Sequence, residues 1–148
     1  MTRFTKKAAL VILTVAVIAG CKKNDSGPSK TQLLTSGSWK LTSDYFDPAV
    51  DVNGDGHPVN EAITVLQPCF TDNLLIFNAN GTAIRDEGAT KCNPANPQII
   101  ETVNWKFLEN ETKIIVDEDT GELLELSASV LKIKIGDATQ SVTLTFSH

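Results

Sequence analysis

Leu74-Leu75-Ile76-Phe77-Asn78-Ala79-Asn80-Gly81-Thr82-Ala83-Ile84-Arg85 is the stretch that decides the fold. Two short apolar-rich runs flank a cluster of Asn and Gly, the composition of a β-hairpin and its turn. The turn has two readings. With Asn80-Gly81 as a two-residue loop, Cys69 and Cys92 fall directly opposite each other on the extended hairpin. With a three-residue turn in which Gly81 forms a bulge, they miss by one position. Either register brings the two backbones within bridging reach.

Outward from this hairpin the chain reads as further strands. Ser38–Phe46 alternates Trp39, Leu41 and Ser43 against Lys40, Thr42 and Asp44. Asn73–Phe77 and Thr82–Glu87 are the hairpin itself. Ile99–Phe107 sets Ile99, Glu101, Val103 and Trp105 on one face and Ile100, Thr102, Asn104 and Lys106 on the other. Thr112–Val116, Glu122–Leu126, Val130–Ile135 and Ser141–Phe146 follow, punctuated by Glu109-Asn110-Glu111, Asp117–Gly121 and Gly136-Asp137. Glu61–Leu66 is open between a short helix and a strand. Eight strands with short connections and no long helix predict an all-β, antiparallel up-and-down barrel. A sandwich is the competing arrangement. Nothing shows the strand–helix alternation of a parallel α/β sheet.

The N-terminus is a different kind of segment. Met1–Lys7 is short and basic, and Ala8–Ala19 is apolar apart from Thr14. Twelve residues rise about 18 Å as a helix, too little for a hydrocarbon core of about 30 Å. This is the pattern of a secretory signal peptide. Its exit, Ile18-Ala19-Gly20-Cys21, resembles the bacterial lipobox, in which the peptidase cuts before an acylated cysteine. That resemblance implies residues 1–20 as signal peptide, Cys21 as the lipidated residue and a membrane as partner, held firmly by several acyl chains. The other reading is a buried thiol in an ordinary membrane anchor. Residues 21–32 contain Lys-Lys-Asn-Asp-Ser-Gly-Pro-Ser-Lys, too polar and proline-broken to bury a core, and read as a flexible tether. Residue 22 is Lys, not the aspartate of enteric-type inner-membrane retention, so outer membrane is the expected address, periplasmic or surface face open. The domain proper is expected over 33–148.

Charge limits the partners. The chain has 13 basic and 18 acidic residues; without Arg3, Lys6 and Lys7, ten basic residues face the same 18 acidic ones, a balance of −8. Such a chain repels phosphate backbones, so no nucleic-acid partner is expected. Setting Cys21 aside leaves Cys69 and Cys92, an even pair in an oxidising compartment, for which a disulfide is the expectation. A metal or redox pair is the alternative, without a CxxC or a neighbouring histidine to recommend it.

Leu33-Leu34-Thr35-Ser36-Gly37-Ser38-Trp39-Lys40-Leu41 carries the Gly-x-Trp opening of the lipocalin family. Cys69-Phe70-Thr71-Asp72-Asn73, then Phe77-Asn78-Ala79-Asn80-Gly81-Thr82, then Asp86-Glu87-Gly88-Ala89-Thr90-Lys91-Cys92 ahead of Trp105 extend the match. Together they resemble bacterial lipocalin-like lipoproteins from about Leu33 onward. The resemblance implies an eight-stranded barrel with Trp39 packed across its closed end, Gly37 and Trp39 as structural residues, and a cavity for a small apolar ligand. One departure stands out: no arginine lies near the last strand to stack on Trp39, as vertebrate lipocalins have. Arg85 is the one arginine after Arg3.

Asp51-Val52-Asn53-Gly54-Asp55-Gly56 matches the first half of an EF-hand loop. Alternate oxygen ligands converge on one cation as the chain curls, so Asp51, Asn53, Asp55, the His57 carbonyl and Glu61 form a candidate calcium set. Position twelve is Ala62, with Glu61 one residue early, and Asp47 or Asp44 could serve instead. The alternative is a solvated loop rich in turn-forming residues.

No catalytic constellation is visible. His57 lies in a loop and His148 follows the last strand, and neither position promises a rigidly held general base. The acidic runs Asp86-Glu87 and Asp117-Glu118-Asp119 read as solvated turn residues. The expected function is therefore non-enzymatic: a monomeric, lipid-anchored envelope protein binding a small apolar ligand, with calcium as a possible structural ion. The alternative is an interaction protein with a filled barrel, docking on an outer-membrane or secreted partner through the Asp47–Asn60 loop.

Overall fold

The computed structural model describes residues 27–148. The signal segment and Cys21 lie outside the described residues. The fold is all-β: eight antiparallel up-and-down strands close into a barrel, and a ninth is added at one edge. The elements are α1 (Lys30–Leu34), β1 (Ser38–Val50), β2 (Val59–Glu61), a 3-10 turn at Ala62–Thr64, α2 (Pro68–Thr71), β3 (Leu74–Phe77) and β4 (Thr82–Asp86). Then come β5 (Ile99–Leu108), β6 (Lys113–Val116), β7 (Asp119–Leu126), β8 (Val130–Gly136) and β9 (Ser141–Ser147). Strands β1 and β3 to β9 pair in sequence, and β1–β9 pairing from Lys40↔Ser147 to Asp47↔Ser141 closes the ring. Closure removes the free sheet edges that an open sheet would expose. The extra strand β2 pairs with the far end of the long β1.

Turn chemistry sets the register of the deciding hairpin. Asn78 N–H donates to Thr82 O and Gly81 N–H to Asn78 O, at 2.8 and 3.0 Å, with Gly81 at φ +88°. This is the three-residue turn with Gly81 as the bulge, because only a residue without Cβ adopts that backbone cheaply. Phe77 therefore faces Ala83 and Leu74 faces Asp86. The cysteines lie beyond this ladder, and they bridge nonetheless. Cys69 sits in α2 and Cys92 in the loop after β4, with Cα atoms 5.1 Å apart.

Besides the shift between Tyr45 and Val50 where β1 meets β2, three one-residue bulges bend the barrel strands. One falls between Leu41 and Ser43 in β1, one at Ile100 in β5 and one at Leu124 in β7. An extra residue on one strand flips side-chain alternation beyond it. The bulge at Ile100 breaks the expected face of β5. Glu101, Val103 and Trp105 point inward, but Ile99 is exposed.

The barrel is packed solid at one end. Trp39, Phe77, Ile114, Leu131 and Leu34 are fully buried there. Trp105 meets Phe77 and Phe107 edge-to-face at centroid distances of 5.5 and 5.4 Å, a favoured aromatic geometry. Helix α1 forms a plug over this end and takes up residues 30–32, which composition assigned to the tether. Ser29 caps it: its hydroxyl accepts the Gln32 N–H while the Gln32 side chain accepts the Ser29 N–H. Leu34 drops into the barrel, a burial that contributes about 2 kcal/mol.

Candidate functional site

The opposite end of the barrel is open. The loop after β1, the segment β2 to α2, the loop after β4 and the β6–β7 and β8–β9 turns all gather there. Inside lies a cavity of about 470 Å³ walled by Leu41, Leu75, Val103, Val116, Ile135 and Leu144. The volume falls within the range of about 300–1,000 Å³ common for small-molecule sites. Strand alternation explains the lining: Leu75 and Phe77, Val103 and Trp105, and Ile133 and Ile135 share inward faces, the deeper member packing the closed end. Gly121 helps keep the space open, since a Cβ there would stand 2.2 Å from the Ile133 Cγ2 methyl.

Four ionisable side chains line the mouth: Arg85, Glu101, Asp117 and Asp119. Arg85 and Glu101 are directly opposed on β4 and β5 and form an ion pair. Both are substantially solvent-exposed, so the pair is worth little to stability. Phe70 of α2, half exposed, and Asn73 complete the rim. The Asn73 amide nitrogen, turned toward them, donates to the carbonyls of Cys69 and Glu87 at 3.2 and 3.0 Å. With the Cys69–Cys92 disulfide, this ties α2 to the loop after β4 and braces one side of the mouth.

Asp44 faces Leu144 across the β1–β9 ladder. Its Oδ1 is buried without a hydrogen-bond partner. Burial, and secondarily the charge of Glu61, raise its pKa above the usual 3.8.

The loop after β1 brings together only part of the candidate calcium set. The Asp51 carboxylate accepts the N–H groups of Gly54, Asp55 and Gly56, at 2.8, 3.1 and 2.8 Å. Asn53 donates its amide to Asp55, whose other oxygen accepts the His57 N–H. Glu61 does not join them. Its oxygens accept from the Ser43 hydroxyl and the Asp44 N–H, both at 2.7 Å, because β2 lays it against β1. Among the described residues no three His, Cys, Asp or Glu side chains converge as a metal site. The loop holds its shape through its own hydrogen bonds, and the five-ligand arrangement is not assembled.

His148 departs from expectation in the other direction. Its ring lies over Trp39, its Nδ1 is 2.9 Å from Ser38 O, and its Nε2 is 3.1 Å from the Ser36 hydroxyl. It sits at the closed end of the barrel, at the β1–β9 seam rather than at the cavity mouth. Trp39 donates its Nε1 proton to Leu34 O at 2.8 Å, which seats Trp39 as a structural residue. Gly37 passes beneath His148, where a Cβ would come within 3.1 Å of the ring.

No family model matches this chain, and no curated protein matches it. The cavity's own geometry therefore carries the functional reading. Arg85 and Glu101 escaped the sequence reading as site residues, although Arg85 lies two positions from the inward Ala83 and Glu101 two from Val103. That i, i+2 relation was the available signal.

Proposed function

We propose that this protein is a lipid-anchored, lipocalin-like binding protein of the cell envelope that carries a small apolar molecule in its barrel. The observation that carries this reading is the apolar cavity of about 470 Å³ at one end of a barrel whose other end is solid. An eight-stranded barrel has just enough interior to be filled by side chains or to hold one small ligand. Here the filled part and the hollow part occupy opposite ends. The lipobox-like Ile18-Ala19-Gly20-Cys21 supports the anchor, and Lys22 supports the outer membrane as its address. The apolar wall with charged side chains at its rim supports binding as the reading of this site.

Uptake of the neutral fluorophore N-phenyl-1-naphthylamine by the purified protein tests the cavity. Saturable binding, lost in Val103→Trp while the fold persists by circular dichroism, is the expected result. Absence of uptake, or uptake indifferent to Val103→Trp, overturns it. Native mass spectrometry of the same preparation reads any co-purified molecule. For the anchor, labelled palmitate is expected to enter the wild-type chain in a bacterial host and not Cys21→Ser.

A second reading rests on Phe70 and Ile99, which are 50% and 49% exposed beside the mouth. Exposed apolar side chains at a rim suit docking on an envelope partner as well as guiding a ligand. A partner captured through Phe70 and Ile99 by a protein whose cavity takes up no probe would favour that alternative.

A further inference from the structure

We infer that the cavity selects amphiphiles by charge, taking an apolar body with a cationic head, such as an alkyl ammonium, in preference to a carboxylate of equal length. This rests on the ligand-carrier reading above. The apolar wall accounts for the body. The mouth accounts for the head, because its four ionisable side chains are one cation and three anions.

The one cation is already engaged, since Arg85 faces Glu101 and pairs with it. A ligand carboxylate reaching Arg85 must compete with Glu101 and enter the field of Asp117 and Asp119. Neither of these aspartates has a Lys or Arg partner among the described residues. An ammonium meets the reverse situation, with the two carboxylates of Asp117 and Asp119 uncommitted at the opening. A cleft lined by one sign of charge against low-dielectric walls concentrates the opposite ion. The selectivity is modest, because Asp117 and Asp119 are exposed and screened by salt over about 10 Å at 0.1 M.

Displacement of N-phenyl-1-naphthylamine by decylamine, decanol and decanoate at pH 7, in low and high salt, tests this directly. All three share the apolar body, while the amine is protonated and the acid ionised. Decylamine is expected to displace the probe at about five- to tenfold lower concentration than decanoate in low salt, with decanol between them. Added salt narrows the gap. In the double variant Asp117→Asn, Asp119→Asn the gap falls to within about twofold, and decanol is unaffected. Asparagine tolerates the φ of +57° at position 117, so the β6–β7 turn survives the change. Decanoate binding as well as decylamine, a gap indifferent to salt, or a gap untouched by the double variant overturns the inference while the ligand-carrier reading stands. Failure of the neutral probe itself to bind overturns both.

Discussion

The imidazole of His148 lies over the indole of Trp39 with ring centroids 3.9 Å apart and planes inclined by 31°. The contact joins the residue after the last strand to the start of the first, at the seam where β1 and β9 close the barrel. Two hydrogen-bonding contacts from the imidazole, to Ser36 and Ser38, hold that seam together across the chain. An arginine there would stack by cation–π attraction; the imidazole supplies ring contact and hydrogen bonds instead.

His148→Ala is therefore expected to destabilise the fold by about 1 kcal/mol, the scale of one aromatic pair with its hydrogen bonds. Gly37→Ala should reproduce part of that loss by pressing on the same ring. Urea unfolding checks both: the midpoint falls and the slope is unchanged. An unaltered midpoint in His148→Ala would show that the stack contributes nothing.

The Cys69–Cys92 bridge spans a sequence separation of 23 residues that includes the whole β3–β4 hairpin. By the chain-entropy relation, its removal in the Cys69→Ser, Cys92→Ser variant costs about 3 kcal/mol. Because the bridge also braces α2 at the mouth, faster amide exchange over 68–72 and 88–98 should accompany the loss. Equal stability of the oxidised and reduced protein would refute this.

Asp44 gives a pH dependence with a definite sign. Its folded-state pKa is raised above 3.8, chiefly by burial and then by Glu61, so the native state binds its proton more tightly than the unfolded chain. The favourable contribution is fully present below 3.8 and is lost as pH rises through the raised value. Asp44→Asn mimics the protonated form, so its stability relative to wild type should improve as pH climbs from about 3 toward 7. Unfolding free energies of the two proteins across that range provide the check. A difference independent of pH, or one of opposite slope, would contradict the assignment.

In the loop after β1, Asp51 accepts three backbone N–H bonds from exposed residues. Asp51→Ala should raise amide exchange over 52–57 while costing the whole fold no more than about 1 kcal/mol. Added calcium at about 1 mM should leave the melting temperature in place, since Glu61 is committed to β1. A clear rise on adding calcium would show that Glu61 leaves β1 for the loop.

Much of this protein is legible in its residues. Alternating apolar positions such as Trp39 and Leu41, or Val103 and Trp105, predict strands because a pleated chain shows one face to the core and one to water. Asn80-Gly81 marks a turn because few residues tolerate positive φ. Both rules are local, so the eight strands are legible from the neighbouring chain, while their closure into a barrel rather than a sandwich rests on the long-range pairing of β1 with β9. The paired cysteines were likewise legible, although they meet through α2 rather than across the hairpin ladder. What tertiary structure alone decided depends on residues distant in sequence. The bulge that turns Ile99 outward arises from pairing between β4 and β5. His148 finds Trp39 only when β9 closes on β1, and Glu61 is claimed by β1 because β2 lies against it. The division between a packed end and a hollow end follows from which inward side chains share a level around the ring, and that is set by strand stagger. Periodicity tells each residue which way to face; closure of the barrel decides what it meets there.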